Sequence, residues 1–109
     1  VYRRPVLRPL EWVAVKGKRH AVLIHELCGA VGEVGDDELA AIELYADALD
    51  AYRARKFEDA ATGFEAAAAA YESLGREDIS CVRMAARCRA FMADAPPEDW
   101  DGSTSMTTK

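Results

Sequence analysis

The sequence predicts a mainly α-helical fold, with a short N-terminal β-hairpin, three helices and an extended C-terminal tail. Two observations lead to this prediction. Apolar residues recur every three or four positions between Leu39 and Met92, which is the period of an amphipathic helix. Before them, two apolar, β-branched segments flank a basic loop with one glycine, which is the pattern of a hairpin. The chain has 109 residues, half of them hydrophobic, which suffices for one small domain.

The predicted strands cover residues 10–15 and 21–27, and the loop 16–20 between them reads Lys-Gly-Lys-Arg-His. An isolated hairpin is at best marginally stable in water. We therefore expect this hairpin to pack either on the helices that follow it or on a sheet outside this chain.

Three helices are predicted between the hairpin and the tail. Asp36 and Asp37 suit the start of the first helix, where acidic side chains favour the helix dipole. The second helix stops at Gly75, and the third is closed by Pro96 and Pro97. Alanine fills 21 positions, nearly all in these helices, and favours them intrinsically.

These elements divide the chain into four segments. They are the hairpin at 1–28, a glycine-rich linker at 29–36, the three-helix domain at 37–95 and the tail at 96–109. Charge is distributed unevenly, because residues 1–29 carry a net charge of +4 and residues 30–109 carry −9. This asymmetry suggests that the two segments differ in origin and in binding partners. The Trp100 ring is expected to fold back onto the helices despite its polar surroundings.

Composition excludes several classes of function. A net charge of −5 argues against nucleic-acid binding, and the basic hairpin is the only feature that favours it. No apolar run approaches the roughly 18–20 residues of a membrane span. Three cysteines, an odd number, favour a reducing cytoplasm over a disulfide scaffold. Cys81 and Cys88 are predicted to be small core residues, and neither they nor the two histidines form a metal-ligand pattern.

The helix pair at 39–74 resembles a tetratricopeptide repeat. Ala48 and Ala51 match the small residues of its first helix, and Phe57, Ala60 and Phe64 follow at fitting offsets in the second. A large residue is expected where Asp47 stands, and only one copy is present. An ordinary three-helix bundle is an equally good interpretation.

Arg83 and Arg87 lie four residues apart in the third predicted helix, so they share one face. They form a possible interaction surface for an anion or an acidic peptide. A solvated face that pairs with the many acidic residues is the favoured alternative.

A second resemblance involves both ends of the chain. Arg8–Leu27 reads RPLEWVAVKGKRHAVLIHEL and resembles the last hairpin of a class III nucleotidyl cyclase catalytic domain, which closes in V-K-G-K and a Tyr-Glu-Leu-like triplet. His25 stands at the tyrosine position. The tail, from PPEDWDG to MTTK, resembles the terminus of bacterial cyclases that carry a helical extension.

The resemblance implies that the chain is the C-terminal fragment of an adenylate cyclase, which converts ATP to cyclic AMP and pyrophosphate in signal transduction. Lys16 would contact the terminal phosphates of the nucleotide. The catalytic residues and the aspartates that bind Mg or Mn would lie upstream, so the fragment alone would be inactive and would hold no cofactor. The parent would act as a homodimer, with ATP preferred over GTP.

The helical part is expected to contact a protein partner or to support self-association. The chain begins at Val1, for which excision from a longer chain is our interpretation. The parent is expected to be cytoplasmic, or anchored in a membrane upstream with this part in the cytoplasm. The alternative is a non-enzymatic, TPR-like interaction module with no cyclase parent.

Overall fold

The computed structural model describes residues 3–14 and 20–105. Two strands come first, β1 (Pro5–Ala14) and β2 (Val22–Ala30). Three helices follow, α1 (Asp36–Arg53), α2 (Phe57–Ser73) and α3 (Ile79–Ala93), and then a short strand, β3 (Ser103–Ser105). The predicted order of a hairpin followed by three helices is therefore confirmed.

The hairpin is longer than its hydrophobic pattern indicated. β1 starts at Pro5, five residues before the expected strand, and β2 continues to Ala30, beyond the expected end of the hairpin. The sequence did not indicate the first half of β1 because it contains prolines at positions 5 and 9. Proline cannot donate a hydrogen bond to a neighbouring strand, so its presence argues against a strand. The sheet accommodates Pro9 with a shift in register between Pro9 and Glu11, which leaves Leu10 without a ladder partner in β2.

This irregularity fastens the hairpin to the helices. The hydroxyl of Tyr45 in α1 donates a 2.7 Å hydrogen bond to the carbonyl oxygen of Leu10. Tyr45 is only 1% exposed, so burial removes water from its hydroxyl, and the Leu10 carbonyl replaces that water as hydrogen-bond partner. The proline that obscures the strand in the sequence thus coincides with the point where the strand binds α1.

The tail forms an element that the sequence did not indicate. β3 pairs in parallel with β1, with Trp12 opposite Ser103 and Ala14 opposite Ser105, so β1 is the central strand in the order β2-β1-β3. Gly102 precedes β3 with a φ of +89°. A Cβ atom there would lie 3.1 Å from Cγ of Arg53, so both backbone conformation and space favour glycine.

The core lies among the three helices. Phe64 is fully buried and meets the Tyr45 ring edge-on, with ring centroids 5.0 Å apart, which confirms its predicted place between the first two helices. Cys81 and Cys88 are also fully buried, as predicted. α1 and α2 approach each other closely at Gly63, where a Cβ atom would lie 2.8 Å from Cβ of Ala48.

Gly63→Ala tests this crossing. Alanine is the better helix former by about 1 kcal/mol. The added methyl group would nevertheless displace α1 from α2, so we expect a net loss of about 1–3 kcal/mol in the free energy of unfolding. Urea denaturation provides the measurement. Thr62→Ala, at the exposed neighbouring position, is the matched control and should be neutral or slightly stabilising. Equal or higher stability of Gly63→Ala would contradict the close crossing.

Candidate functional site

The candidate site is the junction between the hairpin and the helices, and Arg8 lies at its centre. This arginine is 1% exposed. Its NH2 atom lies 3.0 Å from Oε1 of Glu26 in β2, and its NH1 atom lies 3.0 Å from Oδ2 of Asp78. The guanidinium carbon is also 4.7 Å from the ring centroid of Tyr45 and 4.9 Å from that of Tyr71. Two carboxylates and two aromatic faces therefore replace the water that the cation loses.

Asp78 links this cation to the start of α3. Its Oδ1 atom accepts a 2.9 Å hydrogen bond from the backbone N–H of Cys81, which caps the helix, while Oδ2 faces Arg8. The Nε atom of Arg8 has no hydrogen-bond acceptor among the described residues, and NH1 meets Asp78 outside hydrogen-bond geometry. The contact between them is accordingly ionic, and it fixes the N-terminus of α3 beside β1.

A second ionic contact joins the other end of the sheet to α3. The NH1 atom of Arg87 lies 2.9 Å from Oε1 of Glu11 in β1 and donates to Oγ1 of Thr104 in β3 at the same distance. Thr104 in turn donates to Glu11 at 2.9 Å. Arg87 is thus engaged within the protein, and it holds both β1 and β3.

The tail reaches the sheet by way of an aromatic cluster. Trp100 meets Tyr52, Phe57 and Phe91 with ring centroids 5.2 to 5.7 Å apart, which confirms that it packs on the helices. The Arg55 guanidinium donates to the carbonyl oxygens of Pro96 and Pro97 at 2.7 and 2.9 Å. Arg55 has a φ of +65°, uncommon for a residue with a side chain, so the turn between α1 and α2 bears strain where it holds the tail.

A cleft of about 460 Å³ opens between α3 and the sheet. Arg83 and Arg87 both line it, so the structure brings the two predicted arginines to one place. They differ in environment, because Arg87 is half-buried and paired whereas Arg83 is exposed and has no ion pair among the described residues. The sequence could not distinguish them, since their partners lie far away in the chain.

Lys16, the predicted phosphate contact, lies outside the described residues, and so does the whole V-K-G-K sequence at 15–18. Within residues 3–14 and 20–105, no group of three His, Cys, Asp or Glu side chains is placed to hold a metal ion. The Mg or Mn that the cyclase resemblance implies therefore has no ligand set in this part of the chain. No helix in the same ranges is long and apolar enough to cross a membrane.

Comparisons of the chain with protein-family models, with curated proteins and with solved structures found no match.

Replacement of Arg8 tests the central ionic contact. Arg8→Met keeps an unbranched side chain but leaves Asp78 and Glu26 without their cation, so we expect a loss of about 2–4 kcal/mol in the free energy of unfolding. Arg76→Met is the matched control, because it removes a cation whose side chain is exposed from the Arg76–Glu38 pair, and it should destabilise the protein much less. Urea denaturation of both variants measures the difference. Similar losses in the two variants would contradict the role of Arg8.

Thiol reactivity tests the burial of the cysteines. Burial raises the pKa of Cys81 to about 12 and that of Cys88 to about 11, from an ordinary value of 9.0. At pH 8 both are protonated and enclosed, so Ellman's reagent should label only the partly exposed Cys28 in the folded protein. All three thiols should react in denaturant. Rapid labelling of two or three thiols in the native protein would contradict the core assignment.

The same pKa shifts make the free energy of unfolding depend on pH. The unfolded state releases thiol protons near pH 9, whereas the folded state retains them to about pH 11 or 12. The folded state binds more protons than the unfolded state above pH 9, so the free energy of unfolding falls as the pH rises above 9. Below pH 9 the two buried thiols cause no such loss. Denaturation curves between pH 8 and pH 10.5 should show this decline, and replacement of both buried cysteines by alanine should reduce it.

Proposed function

We propose that this chain is the C-terminal part of a class III adenylate cyclase, in which the last hairpin of the catalytic domain is fastened to a TPR-like helical extension. The observation that supports the proposal is the exposed apolar edge of the sheet. β2 is an edge strand of nine residues, and Val22, Ile24 and Leu27 on it are 49%, 42% and 68% exposed. A long apolar edge strand is a site for unwanted association unless another strand or element covers it.

The position of the exposed surface supports this proposal. β1 is paired on both sides at its C-terminal end, so the sheet can grow beyond the hairpin at the β2 edge. We propose that the upstream part of the catalytic domain covers β2. The V-K-G-K loop would then join the active site, with Lys16 as the residue that the resemblance places against the nucleotide phosphates.

The helical extension would have a supporting role, through contact with a protein partner or with the catalytic dimer. In the described part of the chain it has no metal-holding cluster, and Asp78 and Arg87 at the junction hold the hairpin. The cyclase chemistry would come from upstream residues. They would bind Mg or Mn with ATP in the cytoplasm.

One observation favours the alternative of a non-enzymatic interaction module. Ile79 and Val82 on the outer side of α3 are 67% and 55% exposed, which is the kind of apolar surface that a further helix of a repeat array would cover. The upstream sequence distinguishes the two proposals, because a cyclase requires two metal-binding aspartates in a ferredoxin-like βαββαβ region there. Synthesis of cyclic AMP by the full-length protein would decide for the cyclase.

The residue-level prediction concerns Lys16 in the full-length protein. If Lys16 stabilises the negative charge that develops as pyrophosphate leaves, Lys16→Ala should lower turnover by about 10²–10³. Lys18→Ala is the matched control, because it removes the same charge from the same loop, and it should cost much less. Cyclic AMP production by the two variants is measured side by side with Mn²⁺ or Mg²⁺. A greater effect at Lys18, or no effect at either lysine, would contradict the assignment.

If the proposal holds, this chain alone should form no cyclic AMP from ATP, because the metal ligands and the rest of the catalytic domain would lie upstream. Production above that of a buffer control would overturn the proposal.

A further inference from the structure

The cleft between α3 and the sheet has the composition of a binding site for a small molecule. Its volume of about 460 Å³ lies within the range of ligand pockets. Apolar side chains from three elements form much of its lining, namely Val13 in β1, Ile24 in β2 and Met84 in α3. Val13 and Met84 are buried in the protein, whereas Ile24 remains 42% exposed. Much of this apolar lining therefore belongs to the folded core and is formed before any ligand arrives.

Among the described residues, the charged side chains of the cleft leave one positive charge without a partner. The ionised side chains in this part of the chain that line the cleft are Glu11, Arg83 and Arg87. Glu11 and Arg87 neutralise each other across 2.9 Å, and the hydroxyl of Thr104 donates to the same carboxylate oxygen. Arg83 has no ion pair or hydrogen bond to any described residue. In a chain of net charge −5, an unpaired guanidinium beside an apolar lining is a local departure from the overall charge.

We propose that this cleft binds a small amphipathic carboxylate, with its apolar body against Val13, Ile24 and Met84 and its carboxylate at Arg83. A guanidinium suits this group, because its parallel N–H donors match the two oxygens of a carboxylate. Ser80, one turn before Arg83 on α3, also lines the cleft and supplies a hydroxyl donor.

Other classes of ligand fit the lining of this cleft less well. A cation would meet Arg83 as a like charge, and a neutral apolar molecule would leave that charge unused beside it. A polyphosphate would need several cations, whereas Arg87 is engaged by Glu11, whose carboxylate would repel further negative charge. One carboxylate with an apolar body satisfies both parts of the lining.

The proposal goes beyond the cyclase assignment and does not depend on it. Every residue that it uses lies in the described hairpin, α3 or β3, and the ligand would not be the nucleotide substrate. Binding is measured with this chain and needs no catalytic activity. The cyclase assignment and the carboxylate site can thus fail separately.

Octanoate is the probe, and octanamide, which has the same chain without the charge, is the matched ligand. Isothermal titration calorimetry measures both affinities, and methyl NMR of Ile24 and Met84 locates the site. We expect octanoate to bind at least fivefold more tightly than octanamide, with shifts at both methyl groups. Arg83→Gln should weaken octanoate binding about 5- to 20-fold, and Arg83→Lys should recover part of the loss.

Arg89→Gln is the matched control, because it removes one positive charge from the same helix outside this cleft, where Arg89 pairs with Glu65. It should leave the affinity for octanoate unchanged. Arg83 and Arg89 are both exposed, and circular dichroism verifies that each variant is folded. The proposal is overturned by any of three results: no octanoate binding, equal binding of octanamide, or equal weakening by Arg83→Gln and Arg89→Gln.

Discussion

The structure depends on a positive charge that the fold encloses. Arg8 is 1% exposed, and a guanidinium in such a place is tolerated only when charges and aromatic faces surround it. Its partners come from separate elements, with Glu26 in β2, Asp78 at the N-terminus of α3, and the rings of Tyr45 and Tyr71 in α1 and α2. One side chain therefore fixes the position of the hairpin relative to all three helices. The packing of apolar side chains alone would leave that position less sharply determined, because apolar contacts have little directional preference.

The tail closes the arrangement from the opposite end. The Trp100 ring binds an aromatic cluster built from all three helices, and Arg55 holds the carbonyl oxygens of the two prolines before it. The chain then reaches β1 and forms β3, where Thr104 completes the contact between Glu11 and Arg87. Three residues of strand would contribute little alone. They are ordered here because the aromatic cluster and the ionic contact position them at both ends.

The helices could be predicted from the sequence because their signals are local. The spacing of apolar residues marks all three helices. Acidic first turns mark α1 and α2, Gly75 follows α2, and the two prolines follow α3. The three helices and the buried places of Phe64, Cys81 and Cys88 were therefore predictable. The irregularity at Leu10, the strand β3 and the role of Arg8 were not. Their partners lie 18 to 93 residues away, and Ser-Thr-Ser has no strand pattern. For the candidate site, the sequence located Arg83 and Arg87 on one face but gave no sign that Arg87 alone has an ion-pair partner among the described residues.

The two charged segments of the sequence are joined by ionic contacts that run in both directions. Arg8 from the basic segment meets Asp78 from the acidic segment, and Arg87 from the acidic segment meets Glu11 from the basic one. Removing the hairpin would leave Asp78 and Arg87 without these partners and would expose the hydroxyl of Tyr45 where Leu10 now accepts it. The hairpin and the helices consequently share one set of buried polar contacts, although their compositions differ. If the hairpin belongs to a catalytic sheet, as we propose, a force on the helices acts directly on β1, the strand that leads into the loop with Lys16. A partner of the helical part would then need no separate linker to influence that loop, because the connection is the buried junction itself.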